Sequence, residues 1–232
     1  MGDFIKLFII TLILAVMATP AVAMDLPEPS EAEKIMQSKC EALYKAARNN
    51  DVEKVKNLIN DGCDLSRYSL LPRTIYDKDA NAAKILIENG ANANGYIREA
   101  GGHSRPLLII ALRDRQYEIA KQLIENGANV NAPDDDCHGG AAVALLFVAQ
   151  DKYIDILTLL LKKGADVNGE DAYSNTALIK AAKSGQVKAI KLLIDNGADV
   201  NKKDGENKTA LTYAKDKGHD EIVKILKEAG GT

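Results

Sequence analysis

The chain has 232 residues, 46% of them hydrophobic, with no Trp, three Phe and a net charge of −3 from 30 Lys and Arg against 33 Asp and Glu. An apolar fraction made mostly of Ala, Leu and Ile suits one helical domain packed by small and aliphatic side chains. The mild acidity excludes the concentrated Lys and Arg field that nucleic acid or an anionic membrane surface requires.

Residues 1–23 differ from everything after them. Lys6 precedes the apolar run Leu7 to Met17, Ala21-Val22-Ala23 is a small-residue cleavage signal, and the chain turns polar from Met24. The apolar stretch is shorter than the roughly 20 residues a bilayer-spanning helix needs. The expectation is a signal peptide over 1–23, cleavage after Ala23 and no membrane insertion afterwards; an uncleaved anchor is the alternative. Residues 24–39 are expected to be a linker and capping helix, because Pro27 and Pro29 forbid regular pairing and Ser30 with Glu33 has capping-box spacing.

From residue 40 to 232 one phrase recurs: a leucine-rich helix end, two polar residues, Gly, a small residue, an acid or amide, an aliphatic residue and Asn. Its glycines are Gly62, Gly90, Gly127, Gly164, Gly197 and Gly230, spaced 28, 37, 37, 33 and 33 residues apart, which is the signature of a stacked repeat. Within one period, Thr176 to Ala182 places small and aliphatic residues at helical spacing, and Gly185 ends that helix. Val187, Ile190, Leu193 and Ile194 then form the apolar stripe of a second helix. One antiparallel pair cannot bury its apolar faces alone, so neighbours must stack.

These residues closely resemble the ankyrin repeat, whose pattern is a TPLHxAA helix, a G-H turn, a longer helix ending LLxxGADVN and a projecting hairpin finger. The resemblance covers roughly residues 40 to 230 and is strongest in NTALIKAAKSGQ and KTALTYAKDKGHDEIVKILKEAG. It implies an all-α solenoid of stacked antiparallel helix pairs, about six repeats, the second degenerate. The family histidine is replaced by Tyr44, Pro72, Ile109, Leu146, Ile179 and Thr212 in register, so hydrogen bonding between successive pairs should differ from the family pattern. In repeat two, Pro72 falls within the first helix and should leave only a turn or two over Arg73 to Asp77, making residues 66–80 the weak point of the stack.

Repeats three and four are each four residues longer than the 33-residue period while their second helices, Tyr117 to Glu125 and Tyr153 to Lys162, are intact. The surplus lies in the fingers, which are Gly-rich, polar and project from a rigid scaffold. Tyr96, Arg98 and His103 on one finger, Asp134, Asp135, Asp136 and His138 on the next, and Glu170, Asp171 and Tyr173 on the following one form the candidate protein-binding row, with aromatic and guanidinium anchors and an acidic tip.

Several sharper readings fail on chemistry. Three consecutive carboxylates at Asp134 to Asp136 point in different directions, whereas calcium needs interleaved oxygens. Zinc at Cys137 and His138 would need further donors, of which only His103 is near, so no metal is expected and a solvated acidic fingertip is the default. Cys137 beside His138 lacks an oxyanion turn, and Gly101-Gly102 lacks a P-loop lysine, so neither an enzyme nor a cofactor is expected. His219 occupies the G-H turn, a structural place. Cys40 and Cys63 come out at the same end of the first helix pair; a bridge would close a loop of about 24 residues and add roughly 3 kcal/mol. The alternative is that Cys63 fills the small-residue slot held elsewhere by Ala.

The resemblance implies a non-catalytic module that binds another protein through finger tips and the concave face of the first helices. With the export signal, the expectation is a monomeric periplasmic protein whose partner is also exported, of an immunity or self-protection type that inhibits an exported enzyme. A secreted effector that binds host proteins and an envelope stress-resistance protein are the alternatives.

Overall fold

A computed structural model describes residues 29–66, 69–98, 102–134 and 143–232. Residues 1–23, expected to be a signal peptide, lie outside these residues. The described chain divides after Met36 into two units. Helix α1 (Glu31–Arg48) runs through both. Its start is the expected capping box: the Ser30 amide donates to Glu33 Oε2 at 2.7 Å and the Glu33 amide to Ser30 Oγ at 3.3 Å. The helix is continuous to Arg48.

The remaining elements follow in order: α2 (Val52–Asn60), α3 (Leu70–Tyr76), α4 (Ala80–Glu88), β1 (Tyr96–Arg98), β2 (Ser104–Pro106), α5 (Leu107–Arg113) and α6 (Tyr117–Glu125). Then come α7 (Ala144–Val148), a 3-10 turn (Asp151–Tyr153), α8 (Ile154–Lys162), α9 (Ala177–Lys183), α10 (Val187–Asp195), α11 (Ala210–Asp216) and α12 (Asp220–Glu228). Short first helices α3, α5, α7, α9 and α11 pack side by side in one row, and longer second helices α4, α6, α8, α10 and α12 form another against it. The core between the rows is built of Leu, Ile and Ala: Ala82, Ala111, Ala120, Ala144, Ala181, Ala189 and Ala214 are completely buried. These alanines let neighbouring backbones approach, and the Leu and Ile side chains fill the space that remains. The architecture is the all-helical solenoid that the glycine spacing implies.

Every second helix stops the same way. Gly62, Gly90, Gly127, Gly164, Gly197 and Gly230 have φ between 84° and 98°. The next residue's amide reaches back to a carbonyl of the last turn, as Ala128 does to Leu123 and Ala198 to Leu193 at 2.9 and 3.0 Å. The turn between first and second helices also needs one left-handed residue. Asn50, Lys78, Arg115, Gly185 and Gly218 supply it, with φ from 54° to 70°.

Repeat two is less damaged than Pro72 suggests. Helix α3 begins ahead of the proline, at Leu70, and its seven residues equal those of α5, α9 and α11. Pro72 is the third residue, within the first turn, where amides have no intrahelical acceptor and a missing N–H costs nothing. The repeat departs from its neighbours at its start: Ser69 is left-handed, with φ 49°, and makes no side-chain cap bond. The shortest first helix is α7 in repeat four, five residues long.

Between repeats, Tyr44 occupies the family histidine position and its hydroxyl donates to Asp77 Oδ2 at 2.6 Å, while Arg73 lies 4.2 Å over its ring. Lower down, Asp151 Oδ1 accepts the Ala189 amide at 2.9 Å, and its own amide donates to Gln186 Oε1. Helix α10 therefore receives its N-terminal cap from the preceding repeat, Gln186 supplying none. Along the connectors runs an asparagine ladder. Asn94, Asn131, Asn168 and Asn201 each donate through Nδ2 to the carbonyl of Gly127, Gly164, Gly197 or Gly230 in the next repeat. Each Oδ1 then accepts the amide two residues beyond that glycine, of Asn129, Asp166, Asp199 or Thr232.

At the first repeat, Cys40 and Cys63 form a disulfide with Cα atoms 5.8 Å apart. Lys39 Nζ donates to the Asp61 carbonyl at 3.2 Å beside it.

Candidate protein-binding surface

The finger of repeat three is a hairpin in which Tyr96 faces Pro106, Ile97 faces Arg105 and Arg98 faces Ser104. Successive strand residues point to opposite faces. Ile97 and Arg105 therefore turn inward and are buried, while Tyr96 and Arg98 share the outer face. Tyr96 is 51% exposed. His103, just before β2, is exposed as well.

The inward arginine decides what happens to the acidic tip. Arg105 Nε donates to Asp134 Oδ1 at 2.9 Å, and the two side chains are only 4% and 10% exposed. Asp134 is thus a buried ion-pair partner of the preceding finger and not part of a solvated tip. A buried guanidinium must be paired, and Asp134 meets it. Asp135, Asp136 and His138, with Cys137, lie outside the described residues. Among the described residues, no group of three His, Cys, Asp or Glu side chains is placed to hold a metal ion.

In the finger of repeat five, Asp171 builds the turn. Its Oδ1 accepts the amides of Tyr173 and Asn175, both at 2.9 Å, and Lys180 Nζ lies 3.5 Å from Oδ2. Burial alone would raise the Asp171 carboxyl, but the Asn175 and Tyr173 donors and Lys180 outweigh it and hold it below the usual range. Glu170 is bonded across to Lys202 of the next finger at 2.6 Å, and that bond lowers its carboxyl. Both acids are therefore occupied within the protein. Tyr173 is what the turn presents, 58% exposed.

The next finger repeats the device at Asp204, whose Oδ1 accepts the amides of Glu206 and Lys208 at 2.9 and 3.1 Å. Its Oδ2 receives the Tyr213 hydroxyl at 2.6 Å and Lys183 Nζ at 3.3 Å. Lys183 also lies 4.0 Å over the Tyr213 ring. The two fingers join where the Gly205 amide donates to the Tyr173 carbonyl at 2.9 Å; a Cβ there would come 3.2 Å from that oxygen, a tight contact that glycine avoids.

Of the sequence-derived candidates, Tyr96, Arg98, His103 and Tyr173 reach the surface, whereas Asp134, Glu170 and Asp171 serve the scaffold. One exposed aromatic escapes the sequence reading: Tyr76, at the end of α3, is 65% exposed. Its signal was an aromatic at a first-helix position held by the cations Arg48, Arg113 and Lys183 in neighbouring repeats. The surface that results offers tyrosine rings and a guanidinium on rigid turns, groups suited to non-covalent recognition.

The comparison with known families agrees with this geometry. A family model described as ankyrin repeats (3 copies) matches residues 43–134 and again 144–231. No curated protein matches the chain. Proteins built of these repeats are generally binding modules without chemistry of their own. The two matches cover most of the stacked pairs, and the chain therefore belongs to the ankyrin-repeat family, as a protein–protein interaction module.

Proposed function

We propose that this module is exported to the periplasm, acts as a monomer, and binds another exported protein, holding or blocking it as an immunity or self-protection factor against a wall- or lipid-degrading enzyme. The observation that carries the binding half is the exposure of Tyr96 and Tyr173 on two fingers, the second with its acids Glu170 and Asp171 occupied internally. Rigid, partly exposed aromatics lose little entropy on docking and are common interface anchors. Arg98 stands on the same strand face as Tyr96 and adds a directed cation. Export is supported by Lys6, the apolar run to Met17 and Ala21-Val22-Ala23. It is also supported by the Cys40–Cys63 disulfide, a bond that persists in oxidising compartments.

Two measurements test the halves separately. Fractionation with N-terminal sequencing should find a chain beginning at Met24 in the periplasm; a cytoplasmic chain that keeps Met1 sinks the export reading, and recovery from culture supernatant moves it outside the cell. Affinity capture from periplasmic extract should yield the partner. Tyr96→Ala with Arg98→Ala, and separately Tyr173→Ala, should each weaken its binding by about 2 kcal/mol or more with little change in melting temperature. Wild-type affinity in both variants would place the interface along Lys180 and Lys183 of the first helices instead.

A further inference from the structure

Tyr117, the first residue of α6, and Tyr153, the last of the 3-10 turn before α8, come from adjacent repeats and meet at the same edge of the stack. Their ring centroids are 4.2 Å apart and the planes are tilted by 40°. Both residues are half-buried. The two phenols are also hydrogen-bonding partners of one another. At that centroid separation carbon atoms of the two rings are in van der Waals contact.

We propose that this pair is an oxidative modification site, in which a haem peroxidase with hydrogen peroxide couples Tyr117 to Tyr153 as an intramolecular dityrosine. Each phenol gives up one electron and its hydroxyl proton to the oxidised haem, leaving two phenoxyl radicals. The ortho carbons join in a new carbon–carbon bond, and the hydrogen on each moves to its own oxygen as the rings regain aromaticity. The protein loses two electrons and two protons in total, and the peroxide becomes two waters.

The surroundings favour this pair over the other tyrosines. Lys152 Nζ lies 4.5 Å from the Tyr153 ring centroid. Hydrogen bonding to that ammonium, and then to Tyr117, draws the Tyr153 phenol below its ordinary value, so it gives up its proton more readily, whereas burial and the bond to Tyr153 raise Tyr117. Tyr44 and Tyr213, by contrast, are buried with their hydroxyls bonded to Asp77 and Asp204. The new bond would tie repeat three to repeat four at the joint where the first helix is shortest and a 3-10 turn replaces the usual left-handed residue. The inference is independent of the partner proposed above.

The test is treatment of the dilute purified protein with a haem peroxidase and hydrogen peroxide. Blue dityrosine fluorescence is read against a chain that contains no Trp. The expected product is a monomer whose tryptic digest links Gln116–Lys121 to Tyr153–Lys162 at a mass two hydrogens below their sum. Tyr117→Phe and Tyr153→Phe, checked by circular dichroism for unchanged folding, should each abolish the fluorescence of the monomer. Dityrosine that survives in either variant overturns the assignment. So does oxidation of exposed Tyr96 or Tyr173 without any product at Tyr117 and Tyr153.

Discussion

Lys78 and Arg115 hold left-handed turns, with φ of 54° and 60°, that Gly185 and Gly218 make in the last two repeats. A side chain there costs roughly 1–2 kcal/mol against a backbone glycine adopts freely, partly offset by glycine's greater freedom when unfolded. Lys78→Gly and Arg115→Gly should therefore each stabilise the protein by about 0.5–1 kcal/mol in thermal or urea unfolding. Gly185 carries a further demand, because a Cβ there would sit 3.0 Å from the His219 ring of the next repeat. Asp204 is the residue that ties stability to pH. Burial raises its carboxyl, but the Tyr213 hydroxyl, the Lys208 and Glu206 amides and Lys183 outweigh that and depress it. A depressed carboxyl contributes stability above its unfolded value and loses it as pH falls through the folded value. Melting temperature should thus be flat near neutrality and drop below about pH 4. Asp204→Ala should cost on the order of 2 kcal/mol at pH 7 and shrink that drop; an unchanged acid limb would discount the cluster.

The cap that Asp151 gives to α10 makes a statement about elements, since a residue of repeat four completes a helix of repeat five. Asp151→Ala should destabilise by about 1 kcal/mol. Amide exchange should quicken at residues 187–190 more than at 154–158, the reverse of what an ordinary local cap would show. This helix start was not legible in the sequence, because the partner amide lies 38 residues away. What was legible obeys local rules: the Ser30–Glu33 box, the glycine stops and the second-helix stripes all act within one turn or one period. Pro72 was misread for a related reason. Its cost depends on its distance from the helix start, and Ser69, being left-handed and uncapped, leaves no mark of that start in the sequence. Asp134 followed the same course, since its acidic neighbours suggested a tip while its pairing was set by Arg105, 29 residues earlier. The exposure of Tyr96 and Tyr173 was legible because a polar, turn-rich finger and its aromatic residue are both local features.

At the scale of the molecule, a stack in which each pair touches only its neighbours has nearly additive stability, and its ends are its weakest places. The disulfide stands at one such end, linking residues 23 apart. Reduction should lower stability by roughly 3 kcal/mol on the chain-entropy estimate. The loss should be local, with exchange rising over residues 41–60 well before it rises over 177–195. Uniform acceleration along the chain would mean that the repeats unfold as one block. The fold class was open to a reading of the sequence because the glycine period is global and simple. The order of strength along the stack was not, because it depends on bonds between repeats such as Tyr44 to Asp77.

The asparagine ladder couples each repeat to the next, and it also sets how the molecule ages. Asn94 and Asn168 are followed by glycine, whereas Asn131 is followed by Ala132 and Asn201 by Lys202. An unhindered glycine amide attacks the neighbouring side-chain carbonyl most readily, so deamidation should begin at Asn94 and Asn168. Each event replaces the Nδ2 donor by a carboxylate oxygen facing the carbonyl of Gly127 or Gly197. Two rungs of one ladder thus run on a faster chemical clock than the other two. Stored protein should come apart at the joints between repeats two and three and between four and five while the helices on either side remain intact.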